Sequence, residues 1–182
     1  MSLKVLTGNI HAEIIERCRQ GDREAHYQLY KLYSRSMFNV GFRIVNNTSE
    51  AEDVLQEAFI SAFRSLDYYR GEASFGSWLK RIVVNKAINA LKKRRTEPMR
   101  EEEEFDVQEV SSTDEAEFPF SIDQVRKAIE ALPDGYRSVL SLYLLEGYDH
   151  NEIAEILGIS ESTSKSQFNR SKKKLREILE RR

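Results

Sequence analysis

Apolar residues recur along most of this chain at helical intervals, and nowhere do they alternate with polar ones over a useful strand length. The clearest case is residues 50–66. There Ala51, Val54, Leu55, Ala58, Phe59, Ala62, Phe63 and Leu66 keep to i, i+3, i+4, i+7 spacing, which predicts an amphipathic helix with one buried face. Ser49 with Glu52 predicts a capping box at its start. Upstream, residues 11–20 predict a short helix and Gly21-Asp22 breaks the pattern. Residues 23–46 predict a longer helix carrying Tyr27, Leu29, Tyr30, Leu32, Tyr33, Phe38, Val40 and Phe42. Gly41 inside this run weakens the case for an unbroken helix without breaking the pattern, and Asn46 and Asn47 punctuate its end. Tyr68 to Ser74 reads as a loop containing Gly71. Ser74 is placed to cap a helix to Arg95, with Trp78, Leu79, Ile82, Val83, Ala87, Ala90 and Leu91 as its buried stripe.

A second patterned block begins near Ser121, which forms a capping box with Gln124 ahead of a helix over 122–131. Pro133-Asp134-Gly135 reads as a turn. The next helix, 136–146, is apolar on most sides and belongs at the centre of its domain. Then comes DHNEIAEILGISESTSKSQFNRSKKKLR over 149–176. Asp149 and Glu152 make an acidic capping box, Gly158 suits a left-handed helix end, and Ser160 is placed to cap a second helix. Two helices joined by a short Gly-containing turn form a helix-turn-helix, whose second helix enters the DNA major groove. That helix carries Lys165, Arg170, Lys172, Lys173, Lys174 and Arg176.

Charge divides the chain further. The net charge is −2 over 182 residues, which is unpromising for a nucleic-acid binder until it is split. Residues 1–95 carry 16 basic and 10 acidic side chains, residues 96–120 carry 1 and 10, and residues 121–182 carry 11 and 10. Two neutral-to-basic blocks thus flank a strongly acidic connector, and distribution governs attraction to phosphate. Low hydrophobicity and like charge predict a flexible linker over 96–120. Such a segment has a root-mean-square span of roughly 25–30 Å. The expected architecture is all-α, with small helical domains at 1–95 and 121–182. Cys18 is the single cysteine, so no internal disulfide is possible. No apolar run approaches membrane-spanning length and no secretory leader opens the chain, which leaves the cytoplasm as the expected location.

Three surfaces could carry function. Asp53, Gln56 and Glu57 share a face opposite the apolar stripe of 50–66. Spacing alone leaves both a solvated face and a docking site for a basic helical surface open. From Phe75 to Arg95 there are seven basic residues and no acid, ending in Lys92, Lys93, Arg94 and Arg95. That exceeds what the helix macrodipole calls for and suits phosphate. Beside this track lie Tyr68, Tyr69, Phe75 and Trp78. Aromatic rings there suit unpaired bases, which stack at ~1–3 kcal/mol each. Phe75 and Trp78 fit the buried stripe, so Tyr68 and Tyr69 are the candidates for exposed rings. Enzyme signatures are missing: there is no phosphate-binding Gly loop, paired-histidine metal motif or cysteine pair. His11, His26 and His150 are scattered, at positions expected for surface or satisfied histidines. No cofactor is implied.

Three segments, AEDVLQEAFISAFRSLDYYRG, FGSWLKRIVVNKAINALKKRR and EIAEILGISESTSKSQFNRSKKKLREIL, resemble bacterial sigma factors of the extracytoplasmic-function class. They occur in the family's order, with its acidic linker between them. The resemblance implies a dissociable subunit of RNA polymerase made of sigma region two and sigma region four. It implies that Asp53, Gln56 and Glu57 dock on the clamp helices of the large polymerase subunit. It implies that residues 68–85, Asn85 among them, melt and read the minus-10 element, and that a loop there takes a base flipped from the non-template strand. Lys92 to Arg95 would track phosphates. The helix from Glu161 would read minus-35 DNA, with Lys165, Ser166, Gln167 and Arg170 in the groove and Lys172 and Lys173 beside them. The linker would thread the RNA exit path. An anti-sigma factor is an expected partner, and membrane insertion is not expected. Gln167 stands where many relatives have Arg, Ser164 where Val is common, and Ser171 where Ala is common. Gln often reads adenine where Arg reads guanine, so the promoter word stays open. The competing reading is a two-domain regulator that binds duplex operators without polymerase.

Overall fold

A computed structural model of the chain describes residues 11–94 and 120–181. The expected flexible linker and Arg95 lie outside the described residues. Every regular element among the described residues is helical. The chain divides into two compact units, Met1–Leu91 and Lys92–Arg182.

The first unit holds α1 (Ala12–Arg19), α2 (Arg23–Val45), α3 (Thr48–Arg64), a 3-10 turn (Leu66–Tyr68) and all but the last three residues of α4 (Phe75–Arg94). Asp22 starts α2, its carboxylate accepting from the Glu24 and Ala25 amides at 2.9 and 3.2 Å. Arg17 binds the same carboxylate through Nε at 2.8 Å and, chiefly through this hydrogen bond, holds it below the ordinary carboxylate range. The folded value is therefore depressed. The contribution is present above the unfolded value of about 3.9 and is lost as pH falls through the folded one. Asp22→Asn keeps a capping oxygen but removes the charge. Its unfolding free energy, tracked by circular dichroism between acid and neutral pH, should fall less steeply on the acid side than that of the parent chain.

Helix α2 runs over Arg23–Val45 as the sequence pattern expects, and Gly41 does not break it. A Cβ at Gly41 would lie 3.4 Å from Val54 Cγ1 and 3.7 Å from Val83 Cγ1, ordinary contact distances, so α3 and α4 both pack against α2 at this point. Tertiary packing outweighs its low helix propensity. Asn46 then ends α2 in the left-handed conformation, with φ 54°. The next residue starts α3: Asn47 accepts from the Glu50 amide at 3.0 Å. The expected Ser49–Glu52 box is thus replaced, because Asn47 caps first and puts Ser49 inside the helix.

The apolar stripe of α3 is buried as expected at Ala51, Val54, Leu55, Ala58, Phe59 and Ala62, and Leu66 is buried after it. In α4 the buried face is rotated from the predicted one. Phe75 is buried as expected, and Val84 and Ile88 join Leu79, Val83, Ala87 and Leu91 inside, while Trp78, Ile82 and Ala90 are not among the buried residues. The helix is apolar over so wide an arc that its own pattern does not fix which edge faces α2. Cys18 is buried, and burial pushes its thiol up to about 11, so it stays protonated.

The second unit holds α5 (Ile122–Glu130), α6 (Asp134–Leu144), α7 (His150–Leu157) and α8 (Glu161–Glu180). Both halves of the Ser121–Gln124 capping box are formed. Pro133-Asp134-Gly135 is a helix start and not a separate turn, with Pro133 at the N-cap and Asp134 in the first turn. A proline and an acid ahead of a glycine satisfy either structure, and the Arg137 ion pair to Asp134 favours the helix. Val139, Leu140 and Leu142 of α6 are fully buried, whereas Tyr143, Leu144 and Leu145 at its end are exposed. The expected central position therefore holds for the middle of α6 only.

Candidate functional site

In the first unit, α3 presents Glu52, Asp53, Gln56 and Glu57 to solvent on the face away from its buried stripe. Ile60 lies one turn on from Gln56 and Glu57 and is 51% exposed. This apolar residue lies off the buried stripe and adds an apolar element to the acidic face. Glu57 also forms an ion pair with Lys86 of α4 at 3.4 Å.

The loop before α4 is held by two tethers. Arg19 Nη2 donates to the Tyr69 carbonyl at 2.7 Å, and the Tyr69 hydroxyl donates to the Ala73 carbonyl at 2.6 Å. Tyr69 also packs on Phe75 and Trp78 with ring centroids 5.6 and 5.2 Å apart. It is only 5% exposed, so the expected exposed ring at Tyr69 is corrected. Tyr68 closes the 3-10 turn and is 82% exposed, while Tyr69, where the backbone becomes extended, turns inward. Ser74 Oγ accepts from the Ser77 amide at 3.2 Å and starts α4. On α4, Arg81 and Asn85 are exposed and Lys80 and Lys86 half-buried, and Lys92, Lys93 and Arg94 are exposed at its end.

In the second unit the helix-turn-helix forms as its sequence demands. Asp149 and Glu152 exchange both capping-box bonds at 2.9 Å. Gly158 sits at φ 73°, and its amide and that of Ile159 both reach the Ala154 carbonyl. Ser160 Oγ accepts from the Thr163 amide at 3.0 Å. The buried side of α8 includes Ser164 and Ser171, the two small polar departures noted in the sequence. Ser171 Oγ donates to the Phe168 carbonyl at 2.7 Å, and Ser164 Oγ is hydrogen-bonded to His150 Nδ1 at 2.9 Å. The His150 ring stacks on Tyr143 at 4.6 Å and meets Phe168 edge-on at 5.6 Å. His150 is therefore a satisfied histidine that fastens α6, α7 and α8 together.

The exposed side of α8 carries Ser162, Lys165, Ser166, Asn169, Lys172, Lys173 and Arg176. Gln167 and Arg170 are less exposed, at its flank. Asn169 was not among the residues expected from the sequence, although it stands three and four residues from Ser166 and Lys165. Asn pairs bidentately with adenine, so its type fits a groove-facing position. Lys165 is paired with Glu161 at 2.6 Å, and Lys172 Nζ lies 4.8 Å from the Phe168 ring centre. Among the described residues no group of His, Cys, Asp and Glu could hold a metal ion, and no helix is long and apolar enough to cross a membrane.

Family comparison assigns both units. The sigma-70 region 2 model matches residues 29–97 and the sigma-70 region 4 model matches residues 122–175. The chain is 30% identical to the RNA polymerase sigma-H factor of Pseudomonas aeruginosa, over 97% of each chain. It is 32% identical to the ECF RNA polymerase sigma-E factor of Escherichia coli K12, over 87% of this chain and 88% of that one. Among solved structures, it resembles the sigma factor RpoE crystallised with the anti-sigma factor NepR from Bartonella quintana. That match has a TM-score of 0.56, 22% identity, and covers 85% of this chain and 96% of that one. CnrH in complex with the cytosolic domain of CnrY matches with a TM-score of 0.52 and 20% identity, covering 92% and 95%. These two likenesses speak to the fold. Together with the matched regions and the curated relatives, they show that the chain belongs to the extracytoplasmic-function class of RNA polymerase sigma factors.

Proposed function

We propose that this alternative sigma factor directs transcription initiation by dividing the work among its three exposed surfaces. The α3 face of Asp53, Gln56 and Glu57, extended by Ile60, docks on core RNA polymerase. Tyr68, the exposed Asn85, the basic end of α4 at Lys92, Lys93 and Arg94, and the following Arg95 engage opened minus-10 DNA. The exposed side of α8 reads the minus-35 duplex through Lys165, Ser166 and Asn169, with Gln167 and Arg170 at the flank and Lys172 and Lys173 on phosphates. The observation that carries this reading is the pairing, in one chain, of a capped helix-turn-helix with an acidic docking face beside a basic helix. An operator-binding regulator needs only the first of these. The functional domains are taken as 1–95 and 121–182, joined by the acidic segment 96–120.

The family is a non-catalytic initiation factor, and the chemistry stays with the polymerase. The work is placed in the cytoplasm, where promoter and polymerase meet. The similar sigma factor RpoE was crystallised with the anti-sigma factor NepR, and an anti-sigma factor is proposed as a partner here too. Run-off transcription with core polymerase and a promoter library tests the whole reading. Transcripts that depend on the chain and share upstream elements support it, and duplex binding without any transcript supports the operator reading instead. Within it, Lys165→Ala and Arg170→Ala should each weaken binding to a selected minus-35 duplex by ~1–3 kcal/mol and relax the preference at one position. An equal loss on random duplex would assign that side chain to phosphate.

A further inference from the structure

Helix α8 begins with the one acid of an otherwise basic stretch. From residue 161 to residue 176 the chain has six basic side chains and a single carboxylate, that of Glu161. Ser160 caps the helix through the Thr163 amide at 3.0 Å, so Glu161 opens the first turn. Lys165 and Asn169 follow at four-residue intervals, which puts the three residues in one row along α8. The first two are in contact: Glu161 Oε1 lies 2.6 Å from Lys165 Nζ, with the side chains 42% and 58% exposed. Helix support explains part of this. An acid in the first turn suits the macrodipole, and a Glu four residues before a Lys stabilises a helix. Neither effect calls for the pair to stand in line with residues proposed to touch bases, at the helix end that reaches base edges in a helix-turn-helix.

We propose that Glu161 is a specificity-determining residue that reads a cytosine in the minus-35 duplex, with Lys165 on the paired guanine. The inference rests on the reading of α8 as the groove helix. In the major groove cytosine offers a donor, its N4 amino group, and its guanine partner offers acceptors at O6 and N7. The Glu161–Lys165 pair presents the complement, an acceptor beside a donor. Adenine also offers a donor, but its thymine partner gives a lysine one acceptor where guanine gives two. A carboxylate has two acceptor oxygens, so Glu161 can keep Lys165 on Oε1 and accept from cytosine N4 on Oε2. Thymine in place of that cytosine would turn its O4 acceptor toward the carboxylate, and the two would repel. The charge has a second effect. Glu161 repels the phosphates of any duplex, and only a duplex with the N4 donor in place offsets that repulsion. It therefore discriminates partly by opposing wrong sequences.

Binding of the full chain to DNA duplexes at low salt, followed by fluorescence anisotropy, tests this. The probes are a duplex selected by the parent chain from a randomised library, its single-base-pair variants, and a random duplex. Glu161→Ala should weaken binding to the selected duplex about three- to tenfold and flatten the preference at one cytosine. The same change should tighten binding to the random duplex about two- to threefold. Glu161→Gln removes the charge but keeps an acceptor. It should tighten random binding as Ala does and retain part of the cytosine preference. A role in helix stability alone would move both duplexes the same way, and that result overturns the proposal. So does an unchanged preference profile, or a flattened position that is not a cytosine. Circular dichroism checks the helix content of each variant, and Glu161→Gln carries the test if Glu161→Ala loses helix. Failure of α8 as the reader is seen separately, as unchanged duplex binding by Lys165→Ala.

Discussion

Phe75→Ala is expected to destabilise the first unit by about 3–5 kcal/mol. Phe75 opens α4 and is 0% exposed. Its ring meets Tyr33, Tyr69 and Trp78 at centroid distances of 5.3, 5.6 and 5.6 Å. These neighbours come from α2, the loop and α4, so truncation leaves a cavity that no single side chain can fill. The loss should reach beyond stability. Tyr69 would lose a wall of its pocket, and the loop that presents Tyr68 would lose its seat. Denaturant unfolding checks the first point, and permanganate footprinting of promoter opening checks the second. Phe75→Leu should recover much of the stability. A stability for Phe75→Ala within about 1 kcal/mol of the parent would show that the cluster is not an anchor.

Asp53→Lys with Glu57→Lys is expected to weaken association with core polymerase by about 2–5 kcal/mol, the cost of turning interfacial charge pairs into clashes. Both side chains are exposed, so the unfolding free energy should stay within about 0.5 kcal/mol. The effect should also fall as salt rises, because exposed charges are screened. Fluorescence anisotropy of labelled chain against core polymerase reads the affinity directly. Unchanged affinity in a folded variant would remove α3 from the interface. Ile60→Ala offers an uncharged check on the same face: loss there that is insensitive to salt would show that the face is amphipathic in action as well as in composition.

The helix-turn-helix was legible in the sequence because its determinants are local. Asp149 with Glu152, Gly158 and Ser160 act on amides and carbonyls within a few residues, so spacing alone specifies them. The α3 stripe was legible for the same reason. Where two local solutions compete, sequence is ambiguous: Asn47 displaced Ser49 as the cap, and Pro133-Asp134-Gly135 began a helix where a turn was equally well encoded. What distant residues decide could not be read. Tyr69 turned inward because Arg19, Ala73 and Trp78 wait there, and adjacent tyrosines give no hint which will do so. The reason for serine at position 164 became visible only when His150 was found across the turn. Lys86 and Glu57 are 29 positions apart, and nothing in either helix alone announces their pairing.

Gly41 also has a bearing on how freely this protein can change. An alanine there would make ordinary contact with Val54 and Val83, and a bulkier side chain is expected to press on one or both. Those valines stand on the helices that carry the acidic and the basic surfaces. A wedge at one backbone position would therefore spread two binding faces whose charges now lie within a single ion-pair distance. Residue 41 marks the place where the helix of the proposed polymerase-docking surface and the helix of the proposed DNA-binding surface both come against α2. Each face can vary in sequence, while Val54 and Val83 keep their helices packed against α2 at residue 41.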